Sequence, residues 1–398
     1  MRKCERLRFL ALQVWRTGTS IDLVNQEGHE RLQRARAPTM LRSLLAFFAL
    51  LVASTQAAGE APPVLVAVLA VSRHSIKSFI KPQLAAYTTH ALNTSFGAPN
   101  GQLTPHGKEW AALVGRSVRA QYADLLGGER QRPPSEDCLF ADSVAVMSDT
   151  DARDVGTGNS LLLGMAGGVD CGQRVTTGAF EHSILREYAS TSDPTTCSYA
   201  SEAEVAGLFG GDIDAAAMGA VGEEMRDISA LVGCCNASLC GGAEGGKKCT
   251  LAEIPNTWEG GNWNTWSGGL QVAAWFAVTF QTQYLTGMHV YANLTSDRIS
   301  RLYRVAQYYW STYKNPINMN RFGGNLISFI AASLERAATG RDPTPGHVLA
   351  NATSRGKASF AHGPKLQWLM GHDVNVAFLR EFLEVQGGTP GYVSQSFI

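Results

Sequence analysis

The stretch that decides the fold is Val64–Ser72, which reads VLVAVLAVS and is followed at once by RHSIK at 73–77. A near-continuous apolar, valine-rich run is typical of a parallel strand that is buried on both faces. Ser143–Ser148 (SVAVMS) and Leu366–Met370 (LQWLM) have the same character, and helical patterns lie between these runs. Strands that alternate with helices predict an α/β fold with a central, mostly parallel sheet flanked by helices.

The first of the helical patterns follows the opening strand at Leu103–Gln121. Thr104 is a suitable capping residue, and Pro105 fits the first helical turn. Apolar residues then recur at helical spacing through Trp110, Leu113 and Val118. The segment therefore predicts a helix.

The composition excludes several classes of protein. Lys plus Arg and Asp plus Glu number 34 each, so no excess of charge indicates a nucleic-acid partner. Hydrophobic residues make up 45% of the chain and charged residues 17%, which suffices for a buried core. The chain has no repeat of 20–50 residues and no apolar stretch of 18 or more, so a solenoid or a stable membrane span is not expected.

A secretory leader is expected within the first 58 residues. Met40–Ala58 combines a charged start at Arg42, a short apolar run and small residues suited to cleavage. We therefore expect translation to begin at Met40, with residues 1–39 as an upstream extension. A signal anchor or a buried helix is the alternative interpretation of the apolar run. Secretion, or residence in a secretory or lysosome-like lumen, follows from the first interpretation.

Two further patterns agree with export. N-glycosylation sequons occur at Asn93, Asn236, Asn293 and Asn351. Seven cysteines follow the leader, and no C-x2-C pair or interleaved histidine indicates zinc, so disulfides are expected. These cysteines are Cys138, Cys171, Cys197, Cys234, Cys235, Cys240 and Cys249. Because seven is odd, one thiol is free or has its partner elsewhere.

The chain after the leader divides into three parts. Residues 59–175 hold the first part of the predicted α/β core. Residues 176–305 are rich in glycine, contain helical patches and are expected to form a helical cap insertion. Residues 306–398 complete the core and are expected to be truncated at the carboxyl end.

Polar residues follow three of the predicted strands. They are Arg73-His74, Asp149 to Arg153, and His372-Asp373. Because ligands bind at the carboxyl ends of strands in an open parallel sheet, these groups are expected to share one crevice. Guanidinium groups bind phosphate oxygens, a histidine can attack phosphorus, and a carboxylic acid can protonate a leaving alkoxide. The set predicts a phosphomonoester site.

At these residues the sequence resembles the second branch of the histidine phosphatase superfamily, which holds acid phosphatases, phytases and glucose-1-phosphatases. The family signature R-H-G-x-R-x-P corresponds to residues 73–79 (RHSIKSF), and L-T-P-x-G corresponds to 103–107. A later phosphate-binding arginine corresponds to Arg153, and H-D-x-N corresponds to 372–375. The four motifs occur in the family order over roughly Val64 to Val385. The resemblance implies a phosphoglycerate-mutase-like fold with a helical cap.

The resemblance also implies a role for each site residue. His74 would be the nucleophile that becomes a phosphohistidine, and Asp373 would protonate the leaving alcohol. The phosphoryl oxygens would be bound by Arg73, Lys77, Arg153 and His372. No metal or organic cofactor is implied, and an acidic optimum is expected. Disulfides Cys138–Cys171 and Cys240–Cys249 are implied as well, while Cys197 would pair with a cysteine that this chain lacks.

Three residues depart from the family signature. Ser75, Lys77 and Phe79 stand where the family has glycine, arginine and proline. Lysine keeps the charge of arginine but loses its bidentate fork. These departures leave a second hypothesis open, in which the chain is a catalytically impaired or dead member that binds phosphorylated ligands or proteins.

Overall fold

The structure is a computed structural model, and it describes the greater part of the chain after the leader. The described residues are 22–23, 51–52, 65, 67–126, 134–178, 181, 184–185, 200–235, 249–260, 265–318, 323–339 and 364–382. The expected leader, apart from Leu51–Val52, lies outside them. So do Cys197, Cys240, Asn236 and Asn351.

The regular elements alternate as the sequence predicts. After an antiparallel pairing of Asp22–Leu23 with Leu51–Val52, the strands are β1 (Val68–Arg73), β2 (Val144–Ser148), β3 (Thr176–Thr177), β4 (Thr257–Gly260), β5 (Thr265–Ser267) and β6 (Leu366–Gly371). The helices are α1 (Pro105–Gln121), α2 (Ala152–Met165), α3 (Glu202–Leu208), α4 (Ile213–Val232), α5 (Gly269–Leu285), α6 (Ser296–Tyr313), α7 (Gly324–Thr339) and α8 (Asp373–Phe382). Short 3-10 turns occupy Pro82–Tyr87, Pro134–Ser143, Leu251–Glu253 and Tyr291–Asn293.

A four-stranded parallel sheet with the order β1-β6-β2-β3 forms the centre of the fold, which confirms the predicted fold class. β6 is buried along its whole length because it lies between two other strands. One face of the sheet packs against α1 and α2 through residues such as Val118, Leu161 and Trp368. The other face packs against α7 and α8 through residues such as Ile330 and Val376.

The cap has a hydrophobic core of its own, formed mainly by α4, α5 and α6. Its boundaries differ from those expected from the sequence. β3 belongs to the central sheet although it follows residue 175, and α6 continues without a break to Tyr313. Ala306 and Tyr309, which the sequence assigns to the second part of the core, are buried in the cap. The antiparallel pair β4–β5 also adds a small sheet to a region that is expected to be helical.

Two disulfides join described cysteines, and one of them is a pairing that the family resemblance implies. The Cys138–Cys171 bridge is confirmed and ties the turn before β2 to the segment after α2. Cys234 and Cys235, which the sequence leaves unassigned, are bonded to each other. Cys249 is disulfide-bonded too, but because Cys240 lies outside the described residues its pairing with Cys249 stays a prediction. None of the helices in the described ranges is both long and apolar enough to cross a bilayer.

Helices α1 and α2 approach so closely that their backbones touch at two glycines. A Cβ atom on Gly115 would collide with the carbonyl oxygen of Leu161, and one on Gly164 would collide with that of Ala112. No side chain fits at either position without separating the helices. The contact fixes the carboxyl-terminal half of α2 against α1, whereas Arg153 lies in the first turn of α2, shortly after β2 ends.

We predict that Gly164→Ala destabilises the protein by about 1–3 kcal/mol, because the added methyl group overpacks the helix contact. Gly219→Ala is the matched control, since Gly219 lies on the exposed face of α4 and a methyl group there would have no atom within 4 Å. That control should be stabilised by about 0.5–1 kcal/mol, because alanine favours helix. Chemical denaturation measures both changes, and equal stability of the two variants would contradict the described helix contact.

Candidate active site

His74 lies at the carboxyl end of β1 and is held by its neighbours on two sides. Its backbone N–H donates to the carbonyl of Gly371 at 2.8 Å, which extends the pairing of β1 with β6 by one residue. Its ring Nδ1 lies 2.7 Å from the carbonyl oxygen of Ser75. A carbonyl oxygen can only accept a hydrogen bond, so Nδ1 carries the proton in this arrangement. The free lone pair of the neutral ring is then on Nε2.

The surroundings of His74 keep its imidazole neutral. Burial lowers the pKa of His74 well below its usual value, and the positive charges of Arg73, Lys77 and Arg153 lower it further. The ring therefore retains an unprotonated nitrogen at mildly acidic pH. That is the ionisation state a histidine nucleophile requires.

Hydrogen bonds fix the loop that follows His74 between the amino-terminal turns of α1 and α2. The backbone N–H of Ser75 donates to the hydroxyl of Thr157 at 3.0 Å, and that hydroxyl donates to the carbonyl of Arg153 at 2.7 Å. The hydroxyl of Thr104 donates to the carbonyl of Ile76 at 3.0 Å. Ser75 is not among the positive-φ residues of the described chain, so the family glycine is not needed there for backbone freedom.

His372 and Asp373 follow β6 at the start of α8. The side-chain oxygen of Asn375 accepts the backbone N–H of His372 at 2.7 Å and so caps the helix. This places the His372 ring beside that of His74, with ring centroids 5.9 Å apart at an interplanar angle of 74°. The asparagine of the H-D-x-N motif therefore has a structural role.

Buried polar contacts orient the His372 ring. Its Nε2 lies 2.9 Å from a carboxylate oxygen of Asp149, which is itself buried after β2. Its Nδ1 lies 3.4 Å from the guanidinium of Arg153. Because a guanidinium only donates, Nδ1 is the acceptor and Nε2 donates to Asp149. The sequence places Asp149 among the residues of the predicted crevice but assigns it no role.

Arg153 lies among carboxylates at the start of α2. Its guanidinium is 2.6 Å from Asp151, and its Nε is 3.8 Å from Asp154. The Asp154 side chain is fully buried, and neither of its oxygens accepts a hydrogen bond from the described residues. Burial raises the pKa of Asp154 to about 7, against the opposing effect of His372 and Arg153. Ligand atoms of Asp151, Asp154 and His372 come within 4.8 Å of one another, but Asp151 is already ion-paired with Arg153.

Asp373 contacts a lysine from the cap. The ammonium of Lys314, the residue that ends α6, lies 2.5 Å from a carboxylate oxygen of Asp373. Burial acts to raise the pKa of Asp373, but the charges of Lys314 and Arg73 outweigh it and hold the pKa below its usual value. Tyr303 on α6 is close enough to be influenced by the charges of both Arg73 and Asp373, and burial raises the pKa of Tyr303 to about 12.

The residues predicted from the strand ends are thus brought into one crevice. The charges of Arg73 and Lys77 act on both His74 and Asp373, and Arg153 acts on His74 and contacts His372. The buried Nε of Arg73 has no hydrogen-bond acceptor within the described part of the chain.

Sequence reasoning misses Lys314, Tyr303 and Asp154 as parts of this site. No motif surrounds Lys314, and only burial of its ammonium beside Asp373 reveals it. Tyr303 lies in a helix whose pattern indicates packing alone. The one sequence signal for Asp154 is its position directly after Arg153, a predicted site residue.

The same fold occurs in solved structures of phytases. No family model and no curated protein sequence matches the chain. Among solved structures, the phytase from Citrobacter braakii is 21% identical, with a TM-score of 0.55 over 79% of this chain and 74% of that one. The Hafnia alvei phytase in complex with myo-inositol hexakis sulphate is 20% identical, with a TM-score of 0.60 over the same shares. The chain therefore has a phytase-like α/β fold, and the resemblance seen in the four motifs is confirmed at the level of the fold.

The buried carboxyl of Asp154 gives a prediction for stability against pH. A carboxyl whose pKa rises from 3.8 unfolded to about 7 folded binds more protons in the folded state between those values. The wild type should therefore lose stability relative to Asp154→Asn as pH rises from about 4 to about 7. One pKa unit corresponds to about 1.4 kcal/mol, so the difference should grow by up to about 4 kcal/mol.

Chemical denaturation at several pH values measures this difference. Asp142→Asn is the control, because Asp142 is exposed and lies away from the site. Parallel stability curves for wild type and Asp154→Asn would show that Asp154 is not held protonated.

Proposed function

We propose that the protein is a histidine acid phosphatase that hydrolyses phosphomonoesters through a phosphohistidine intermediate. The observation that supports this most directly is the bond from Nδ1 of His74 to the carbonyl of Ser75, which leaves Nε2 as the nucleophilic nitrogen. Arg73, Lys77, Arg153 and His372 form the proposed phosphate-binding set. Asp373 supplies the proposed acid on the neighbouring strand end.

In the first step, Nε2 of His74 attacks phosphorus as the bond from phosphorus to the ester oxygen breaks. Asp373, in its protonated form, gives its proton to the leaving oxygen, and the alcohol departs. The positive charges around the phosphoryl group neutralise its equatorial oxygens during transfer. The products of this step are the alcohol, phosphorylated His74 and the Asp373 carboxylate.

In the second step, water attacks the phosphohistidine. The Asp373 carboxylate accepts the proton of that water, the bond from phosphorus to Nε2 breaks, and inorganic phosphate leaves. His74 and protonated Asp373 are thereby restored. His74 and Asp373 account for every proton that is transferred, so the proposed steps need no further acid or base.

The ionisation of the site fits an acidic working range. The low pKa of His74 keeps the nucleophile free of a proton, and the raised pKa of Asp154 keeps that carboxyl neutral below about pH 7. A bound phosphoryl dianion raises the pKa of the nearby Asp373, because like charges disfavour each other. Substrate binding therefore helps to protonate the acid.

The departures from the family signature affect phosphate binding more than the nucleophile. Lys77 keeps a positive charge at the place of the family arginine, and that charge acts on His74 and Asp373. His74 and Asp373 both persist, which favours turnover over the alternative of a dead, ligand-binding relative.

The proposed substrates are phytate-like and other small phosphomonoesters. Support comes from the phytase fold and from the cationic groups of the crevice; the Hafnia alvei phytase holds an inositol hexakis sulphate. We also propose export through the Met40–Ala58 leader. Asn93 and Asn293 are exposed, as glycan attachment requires.

We predict that His74→Ala abolishes acid-pH hydrolysis of an aryl phosphate, because no other residue is proposed to form the intermediate. Wild type incubated with ³²P-labelled substrate should also yield a base-stable, acid-labile phosphoprotein, and the variant should not. His90→Ala is the control, since His90 is exposed and outside the site. Ligand binding without turnover by the wild type would instead support the dead-relative hypothesis.

Asp373→Asn should slow alkyl phosphates far more than aryl phosphates. An alkoxide needs a proton as it leaves, whereas a nitrophenolate does not, and general acid catalysis contributes about 10²–10⁴-fold. Comparing kcat/KM for glycerol 2-phosphate and nitrophenyl phosphate measures the difference. Equal losses on both substrates would remove Asp373 from the acid role.

A further inference from the structure

The cap places one ammonium group against the proposed acid of the core. Lys314 ends α6, and its backbone N–H closes the helix by donating to the carbonyl of Trp310 at 2.8 Å. Its side chain is only 5% exposed, and its Nζ donates to the Asp373 carboxylate at 2.5 Å. The Nζ also lies 5.8 Å from the centroid of the Trp310 ring.

A buried turn fixes the position of Lys314. The side chain of Asn315 donates to the carbonyl of Thr312 at 2.8 Å, and that of Asn318 donates to the carbonyl of Tyr313 at 2.9 Å. The side-chain oxygen of Asn318 in turn accepts the N–H of Ala200 at 2.9 Å. Both asparagines are almost fully buried. The backbone on each side of Lys314 is therefore held by hydrogen bonds that do not involve the lysine side chain.

We infer that Lys314 is a positioning residue for Asp373: its ammonium orients the carboxylate and sets the pH at which this acid takes up its proton. The inference rests on the proposed function, in which Asp373 is the proton donor. Lys314 follows a cap helix and Asp373 belongs to the core, so the end of the cap contributes to the acid–base chemistry of the core. The Asp373 side chain remains 33% exposed, so a leaving group can still reach it.

Other groups around Asp373 also affect its pKa, and none has a larger charge effect than Lys314. Arg73 and Lys77 from the opening loop also favour its ionised form. Tyr303 on α6 faces it as a neutral phenol, because its pKa is raised to about 12. The amino end of α8, where Asp373 lies, favours a carboxylate as well. Lys314 adds to these a direct hydrogen bond and has the largest charge effect on the Asp373 carboxyl.

The first test measures the ionisation of Asp373 directly, without catalysis. Aspartate carboxyl carbons are followed by ¹³C NMR against pH, and Asp373→Asn identifies the signal. In Lys314→Met the pKa of Asp373 should rise by about 1–3 units, because an opposite charge in contact shifts a carboxyl by that amount. Lys314→Gln, which keeps a donor but no charge, should behave similarly and serves if the Met variant misfolds.

Two controls isolate the charge at this position. Lys314→Arg keeps a cation and should leave the pKa of Asp373 close to that of the wild type. Lys108→Met removes a lysine charge from the exposed face of α1 and should change nothing. If the pKa of Asp373 is the same in wild type, Lys314→Met and Lys314→Gln, the inference is wrong.

The second test measures whether the pKa of Asp373 determines the pH dependence of turnover. The alkaline limb of kcat/KM for glycerol 2-phosphate should move up by about 1–3 pH units in Lys314→Met. If Lys314 had a purely structural role, its loss would lower activity equally at all pH values. If it contacted substrate, its loss would raise KM without moving the alkaline limb of the pH profile. Either result would overturn the inference. If the NMR shift is seen while neither protein turns over any phosphate ester, the effect of Lys314 on Asp373 stands and the proposed function fails.

Discussion

The parallel register between β1 and β6 determines the arrangement of the whole crevice. Pairing runs from Val68 with Leu366 to Arg73 with Gly371, and the backbone bond from His74 to Gly371 extends it. The proposed nucleophile of one strand end is thus next to the proposed acid of the other. A slip of one residue would turn every side chain of β1 to the opposite face, so the buried faces of the sheet enforce the geometry of the crevice.

Within that geometry, positive and negative groups lie close together, and three of the four carboxyls described above have different local partners. Asp149 orients His372, Asp151 is ion-paired with Arg153, and Asp373 is tied to Lys314. Asp154 alone of these four accepts no hydrogen bond among the described residues. Burial raises the pKa of Asp154 to about 7, so this carboxyl changes its charge near neutral pH, whereas the pKa of His74 is held well below its usual value.

The sheet, α1 and the strand-end residues can be predicted from the sequence because each depends on a local pattern or a motif, and the family resemblance implies the Cys138–Cys171 bridge. The end of the cap that the sequence suggests, at residue 305, falls inside α6. The helix is amphipathic throughout, and its sequence shows no sign of a boundary. Sequence reasoning also misses Lys314, because a lysine after a helix is ordinarily solvated. Only the contact between Lys314 and a carboxylate 59 residues further along the chain makes that ammonium a buried partner of Asp373.

The order of the strands has a consequence for synthesis on the ribosome. β6 lies between β1 and β2, yet it pairs with a strand 298 residues earlier in the chain. Until β6 emerges, β1 and β2 have no common neighbour, and their unpaired edges invite association with other chains. The cap helices, in contrast, have a core of their own that is complete by Tyr313. The nascent chain would thus hold a formed cap beside an unfinished sheet, and the edges of β1 and β2 would need protection until β6 emerges.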